Sequence, residues 1–472
     1  MDLLKSLPAN IISLFQKEHL KTGNRFLSDI LRPGPEASGD SAVKKDQDHL
    51  AIQITDDFNR ALSGLQKHSE VIFVTGQAGT GKSTFIRYLR EKLAVNTPVL
   101  APTGVAALNV GGQTIHSFFH IPPRIMQPDE VQPLRNGRLF KELKMLIIDE
   151  ISMVRADLMD LIDISLRVNT GRSEIPFGGV RLIVVGDLFQ LPPVIASETE
   201  ARYIQSRYAT PYFLSASCIS GVHPEIVELS KVFRQQDQHF LAMLSNLREG
   251  NDLAQTIERL NRECCMENSV EDDAIILTPE NAAAGRINNA RLAKLPAKEH
   301  AYEGVVTGKF NLDSERLPAP QNLKLKVGAR VMFTKNDSMH RWVNGTLGTV
   351  TELTPGYIVV ATENCTCSAG RETWESIRYE FDGEKNRIVS RVIGAYTQFP
   401  LMLAWAVTIH KSQGKTFERM HIDIGSGAFA EGQLYVAVSR CKTLKGISLV
   451  RPIKIQDVKV NPVVKEFYAG IR

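Results

Sequence analysis

The chain has 472 residues, 43% of them hydrophobic and 23% charged, with a formal net charge of +4. That length gives room for two or three globular domains, and the near-neutral balance does not by itself argue for a nucleic-acid partner. No apolar run reaches the ~18–20 residues that a membrane span needs, and six cysteines without a CxxC pair or companion histidines argue against zinc and for reduced thiols.

Residues 1–32 read as one or two amphipathic helices, with no charged-then-apolar signal segment at "MDLLKSLPANIISLF". The stretch "RPGPEASGDSAVKKDQD" at 32–48 reads as a linker. From about residue 70, the apolar strands "VIFVTG", "TPVLAPT", "MLIIDE" and "RLIVVGD" alternate with helical stretches, the pattern of a parallel sheet covered on both faces. A second α/β set starts with "AIILTPE" and resumes with "LMLAWAVTIHKSQG", "RMHIDIG" and "GISLVRP". Between them "LKVGARVMFTKND" and "VNGTLGTVTEL" alternate β-branched and polar residues around glycine turns, which predicts a small antiparallel barrel inserted at 304–390. The expected divisions are an extension and linker at 1–50, a first α/β domain at 51–198, and a second domain in two parts, 199–303 and 391–472.

The chemistry sits at strand ends. "GQAGTGKS" at 76–83 follows a strand and opens a helix, the setting that a P-loop requires. Gly76, Gly79 and Gly81 let backbone N–H groups close on phosphate oxygens, with Thr80 and Thr84 in the same nucleotide-binding turn. Lys82 would serve the β- and γ-phosphates and Ser83 would bind Mg²⁺. "MLIIDEISM" ends a strand in two carboxylates. Asp149 would hold the Mg²⁺, and Glu150 would take a proton from the attacking water. "RLIVVGDLFQLPPV" ends in Gly186-Asp187 and presents Gln190 beyond the sheet edge, where ligands of open parallel sheets bind. Gln190 would then reach the γ-phosphate. ATP and Mg²⁺ are the expected cofactors.

This set resembles the helicases of superfamily 1. "PFGG" before "GDLFQLPPV", preceded by "SMVRADLMDLID", resembles the signature of the petite-integration-frequency (PIF) helicases. "APTGVAALNVGGQTIHSFF", "LSKVFRQ", "WAVTIHKSQGKTFE" and "LYVAVSRCKTLKGISLV" resemble the remaining motifs in order, so that the likeness covers about residues 65–455. It implies two RecA-like P-loop NTPase domains with parallel sheets, an inserted small antiparallel β-barrel and a small wedge insertion at about 113–140. It gives Arg234 and Arg440 the role of reaching the γ-phosphate from the second domain, and it brings Gln413 and Gly414 to the nucleotide or the DNA. The adenine-reading glutamine stays open between Gln53 and Gln66.

For DNA the candidates are Thr103, Gly104, His116, Ser117 and Phe118 in the first domain and Thr408, His410 and Lys411 in the second, with Phe118 and Phe119 equally open to being core residues of a helix. Residues 321–348 carry Lys324, Lys326, Arg330, Lys335 and Arg341 against Asp337, a local basic patch on the barrel that would lie over the DNA. The expected protein is an ATP-dependent DNA helicase moving 5′-to-3′ on single-stranded DNA and unwinding duplex or forked DNA. The alternative is a DNA-stimulated translocase that displaces proteins with little strand separation. It is expected to act off the membrane, as a monomer or as a dimer on DNA. The expected place is the cytoplasm of a bacterium, or the nucleus or mitochondrion of a eukaryote.

Overall fold

The structure, a computed structural model, describes residues 54–64, 69–93, 97–135, 137–265, 274–310, 317–425 and 427–471. The expected extension over 1–50 and both candidate adenine-reading glutamines, Gln53 and Gln66, lie outside those residues.

Six strands form the first sheet: Val71–Thr75 (β1), Val99–Ala101 (β2), Gln113–Thr114 (β3), Met145–Ile148 (β4), Arg181–Gly186 (β5) and Glu225–Glu228 (β6). All pair in parallel, in the order β3-β2-β4-β5-β1-β6. The central strands are apolar throughout because helices cover both faces. Side chains alternate between the two: Phe73, Leu146, Leu182 and Val184 enter one core, and Ile72, Val74, Ile147 and Ile183 enter the other. In the register Thr75 lies opposite Gly186 and Ile148 opposite Val184, so the P-loop, the acidic pair and Asp187 all leave the sheet at one edge.

The chain begins a second sheet at Ile275–Thr278 (β7) and leaves it for ten antiparallel strands. These are His300–Glu303 (β8), Val305–Gly308 (β9), Asn322–Leu325 (β10), Arg330–Phe333 (β11), Leu347–Leu353 (β12), Ile358–Thr362 (β13), Thr366–Ala369 (β14), Glu372–Asp382 (β15), Arg387–Gln398 (β16) and Leu401–Leu403 (β17). They make a five-stranded sheet (β14-β13-β12-β11-β17), a three-stranded sheet (β15-β16-β9) and the β10-β8 pair. Leu323, Val331, Phe333, Val350, Ile358 and Leu401 share their core. The second sheet resumes with Ala406–Thr408 (β18), Met420–Ile422 (β19) and Ile447–Leu449 (β20), parallel in the order β18-β7-β19-β20.

Three expected divisions move. β6 pairs with β1, so the first domain continues past residue 198. "EIVE" is a short edge strand in which only Val227 is buried, too little apolar sequence for a search for continuous apolar runs to find. The insertion runs from β8 to β17, beyond 304–390 at both ends, because β8 pairs with β10 and β17 with β11. "LMLAWAVTIHKSQG" is therefore two strands in two sheets. The terminal helix Pro462–Ile471 sits with the first domain: its Val464 and Tyr468 enter the core beside Phe73. Cys365 and Cys367 are bonded to each other, against the expectation of six reduced thiols, because the turn into β14 brings the two side chains together.

The signature stretch is a structural brace. "PFGG" packs on the helix Ala156–Thr170, with Phe177 wholly buried and its N–H donated to Asp163 Oδ1 at 2.6 Å. Gly178 adopts φ +58°, and a Cβ there would lie 2.7 Å from the Leu166 carbonyl oxygen and 2.3 Å from Thr170 Oγ1. Gly178→Ala is accordingly expected to destabilise the first domain by more than about 1 kcal/mol, since both the φ and the space are wrong for a side chain. Urea denaturation followed through the first transition checks this.

Candidate active site

The P-loop leaves β1 and closes over the start of the helix Lys82–Lys92. Gly79 has φ +86°, and a Cβ there would sit 2.7 Å from the Arg234 Cβ, so only glycine lets the segment after β6 pass this close. Lys82 Nζ donates to the carbonyls of Gly76 (2.6 Å) and Gln77 (3.1 Å), and burial holds its pKa below the usual lysine value. Ser83 is exposed at the helix start, Thr84 is half-buried, and Thr80 is buried with its hydroxyl on the Gln77 carbonyl.

Asp149 and Glu150 follow β4. Burial first, then the neighbouring Glu150 charge, pushes the Asp149 carboxyl up to about 7. Burial also raises Glu150, whose backbone is left-handed at φ +50° and whose Oε2 accepts from Gln413 Nε2 at 2.9 Å. Gln190 is buried. Its Nε2 donates to Asp187 Oδ2 at 3.3 Å, and its Oε1 faces Gln413 Nε2 at 3.5 Å. Gly414 is exposed beside Gln413.

The cations come from beyond the first sheet. Arg440 is 2% exposed, donating to the Val436 carbonyl (3.0 Å) and to Ser439 Oγ (2.8 Å). Arg234 Nη1 donates to the Ser439 carbonyl at 3.2 Å. Burial depresses both, Arg440 to about 9 with the Arg234 charge adding to it. Two guanidinium groups, one buried and one half-buried, whose hydrogen-bond acceptors are carbonyls and one hydroxyl make a site suited to an anion with several oxygens.

The sequence alone missed further groups. The Ala78 N–H donates to Tyr435 Oη at 2.9 Å, so a second-domain hydroxyl touches the P-loop. Its only signal was a hydroxyl-bearing ring within the apolar "LYVAV" helix. Arg248 pairs with Asp187 at 3.0 Å, both buried. In "LSNLREG" it reads as an ordinary cation near a helix end.

On the DNA side the expected residues divide. Ser117 and Lys411 are exposed, and Gly104, His116 and His410 are half-buried. The Thr103 hydroxyl caps its helix by accepting from the Ala106 N–H. Phe118 is a correction: it is 4% exposed and packs edge-on against Phe119, Phe140 and Tyr379, so its ring has no free face. Thr408 is another, buried with its hydroxyl accepting from the Lys411 N–H. His410 instead lies parallel to Phe429, which is 58% exposed, an aromatic face that the sequence reading missed.

The basic stretch at 321–348 is not an unopposed patch. Lys324 faces Glu299, Lys335 pairs with Glu372, Arg341 with Asp337, and Lys326 donates to the Leu295 carbonyl. Arg330 is half-buried at the start of β11. The β15–β16 hairpin reaches the first domain, where Tyr379 Oη accepts from the Val99 N–H and Arg138 lies over the Phe381 ring. The stretch expected to be the wedge is braced: Arg124 grips Glu130 within it, and the Leu134 N–H donates to Asn169 Oδ1 on the helix Ala156–Thr170.

The family described as PIF1-like helicase matches residues 44–261, and that described as DNA helicase Pif1, 2B domain, matches 311–353. The ATP-dependent DNA helicase Pif1 of Bdellovibrio bacteriovorus is 34% identical over 417 residues, covering 86% of this chain and 89% of that protein. Human PIF1 is 34% identical over 415 residues, covering 85% of this chain and 61% of its own length. Among solved structures, Bacteroides sp Pif1 in complex with ADP-AlF4 superposes with a TM-score of 0.80 at 38% identity, covering 88% of this chain and 96% of that one. Bacteroides Pif1 bound to ssDNA gives 0.64 at 39% identity with the same coverage.

A carboxyl whose folded pKa lies above its unfolded one keeps its proton longer when folded. Without nucleotide, the Asp149 contribution to stability therefore declines as pH rises from about 4 to about 7. Melting temperatures of wild type and Asp149→Asn between these limits should converge at the acid end. The variant should be the more stable at pH 8, while losing ATP turnover.

Proposed function

The chain belongs to the PIF1-like helicase family and is an ATP-dependent DNA helicase, and from that premise we propose how its two domains use ATP and that it moves 5′-to-3′ along single-stranded DNA. The observation that carries the reading is the facing of buried Arg440, with half-buried Arg234 beside it, and the acidic pair of buried Asp149 and half-buried Glu150 across the seam between the parallel sheets. ATP fills the space with its β- and γ-phosphates on the P-loop amides, and Lys82 exchanges its two carbonyl partners for phosphate oxygens. Glu150, whose proton affinity burial has raised and whose Oε2 Gln413 orients, accepts the proton of the attacking water. Arg234 and Arg440 meet the charge growing on the γ-phosphate, and Gln190 touches it from the first domain.

The residues fit Mg²⁺. Among the described residues no group of three or more His, Cys, Asp or Glu could hold a metal. What the protein offers is the Asp149 carboxylate, held up by burial, and the exposed Ser83 hydroxyl. So small a set suits an ion bound mainly by nucleotide phosphates and water. When bound, Mg²⁺ neutralises phosphate charge.

DNA runs over Ser117, His116, Gly104 and Thr103 in the first domain and over Lys411 and the His410–Phe429 face in the second. Backbone and hydroxyl groups take phosphates, and the aromatic face stacks on a base. Lys324, Lys326 and Arg330 of the insertion are secondary contacts, because Glu299 and the Leu295 carbonyl already engage two of them. The 5′-to-3′ direction rests on the likeness of motifs to that branch of superfamily 1. The braced wedge favours strand separation over bare translocation.

Arg440→Ala should lower kcat at saturating ATP and single-stranded DNA by at least about 10²-fold, and Arg440→Lys should not restore it, since a point charge cannot reproduce the planar fork. Unwinding of duplexes with a 5′ tail but not a 3′ tail is the expected polarity. The reverse preference would overturn it.

A further inference from the structure

Behind the nucleotide seam lies a buried ion pair that no step above uses. Arg248 ends the helix Gln238–Glu249, whose Phe240, Met243, Leu244 and Leu247 are anchored in the second-domain core. Its guanidinium is 3% exposed and crosses to the first domain, where Nη2 donates to Asp187 Oδ1 at 3.0 Å and Nε to both Asp187 oxygens at 3.2 and 3.3 Å. Burial works against that charge, and the Asp187 carboxylate more than offsets it, so the group is held above its ordinary value. Glu249 and Glu228 lie further out, at 3.4 and 3.8 Å.

The same carboxylate closes the turn that presents Gln190. It accepts from the Phe189 N–H at 3.2 Å and from Gln190 Nε2 at 3.3 Å, and the Gln190 N–H donates to the Asp187 carbonyl at 2.9 Å. Arg248 also lies over the rings of Phe189 (4.6 Å) and Tyr468 (5.1 Å), which stack on one another. Tyr468, from the terminal helix, shares a hydrogen bond with the Thr75 hydroxyl, one residue before the P-loop, and its Oη accepts from the Leu188 N–H at 3.5 Å. One contiguous set of contacts thus joins the second domain, the Gln190 turn, the terminal helix and the root of the P-loop.

An apolar contact would hold two domains together without the desolvation cost of a buried ion pair. What an ion pair adds is register. We propose that Arg248 is a positioning residue for Gln190: it ties the Asp187 carboxylate, and through it the Gln190 amide, to the second domain, so that the position of that domain sets the contact with the γ-phosphate. This rests on the reading of Gln190 as a γ-phosphate contact. Domain movement and phosphate sensing then run through one fork, which Lys cannot reproduce although it keeps the charge.

The test measures ATP consumed per base pair unwound, the KM for ATP and the melting temperature for Arg248→Lys and Gln190→Ala. Arg248→Lys is expected to melt near wild type and keep its KM, while consuming at least about fivefold more ATP per base pair, the lower end of ordinary coupling between sites. Gln190→Ala should move the ratio the same way. A wild-type ratio in Arg248→Lys alongside a raised one in Gln190→Ala would reduce the pair to a structural contact and overturn the proposal. An unchanged ratio in Gln190→Ala would overturn the reading of Gln190 itself. Should Arg248→Lys not fold, Asp187→Asn takes its place, keeping an oxygen to accept from the Phe189 N–H while losing the carboxylate that the Arg248 fork grips. It is expected to raise the ratio, and a wild-type ratio counts against the proposal in the same way.

Discussion

Arg440 is buried with half-buried Arg234 beside it, and their protons go to main-chain carbonyls and the Ser439 hydroxyl. Across the seam buried Asp149 and half-buried Glu150 stand side by side with their proton affinities raised. Like charges held together in low dielectric are costly, and each cluster lowers that cost when the missing opposite charge arrives. On the proposed reading a nucleoside triphosphate with its metal would bring both, an anion to the arginines and a cation to the acids. Much of the surrounding fold can be understood as holding those four groups in register.

The parallel sheets do this by geometry. β4, β5 and β1 lie side by side, so the acidic pair, the Gln190 turn and the P-loop emerge together. The second sheet supplies Arg440 from the short buried helix Gln433–Val438 and Gln413 from the turns after β18. The same turns carry His410 and Lys411, proposed above as DNA contacts. On that proposal a change at the phosphates would reach the DNA contacts without any long relay, because Lys411 and Gln413 are two residues apart.

What could be read in the sequence was what local geometry encodes. A P-loop, an acidic strand end and Gly-Asp-x-x-Gln each need particular residues at fixed spacing in one strand and its following turn, so Lys82, Asp149, Glu150 and Gln190 could be named. The face of a helix is not local. Phe118 has the same neighbours in sequence whether it stacks on a base or fills a core, and here Phe140 and Tyr379 decide it. Charge along a chain is equally blind to partners, and the basic stretch meets Glu299 and Glu372 only once the insertion folds. Arg248 and Tyr468 find their partners 61 and 393 positions away, a pairing that no spacing rule anticipates. The edge strand β6 escaped because its two apolar residues between two glutamates resemble a surface segment.

The central claim, that the seam between the domains is built for the γ-phosphate, is tested most directly by comparing the affinity for Mg-ADP with that for Mg-ADP plus aluminium fluoride, a mimic of the transferring phosphoryl group. If Arg234 and Arg440 wait for an anion at that position, the fluoride complex should bind at least about tenfold tighter, some 1.4 kcal/mol. Equal affinities for the two would contradict it, because the two arginines would then have no anion to meet beyond the β-phosphate.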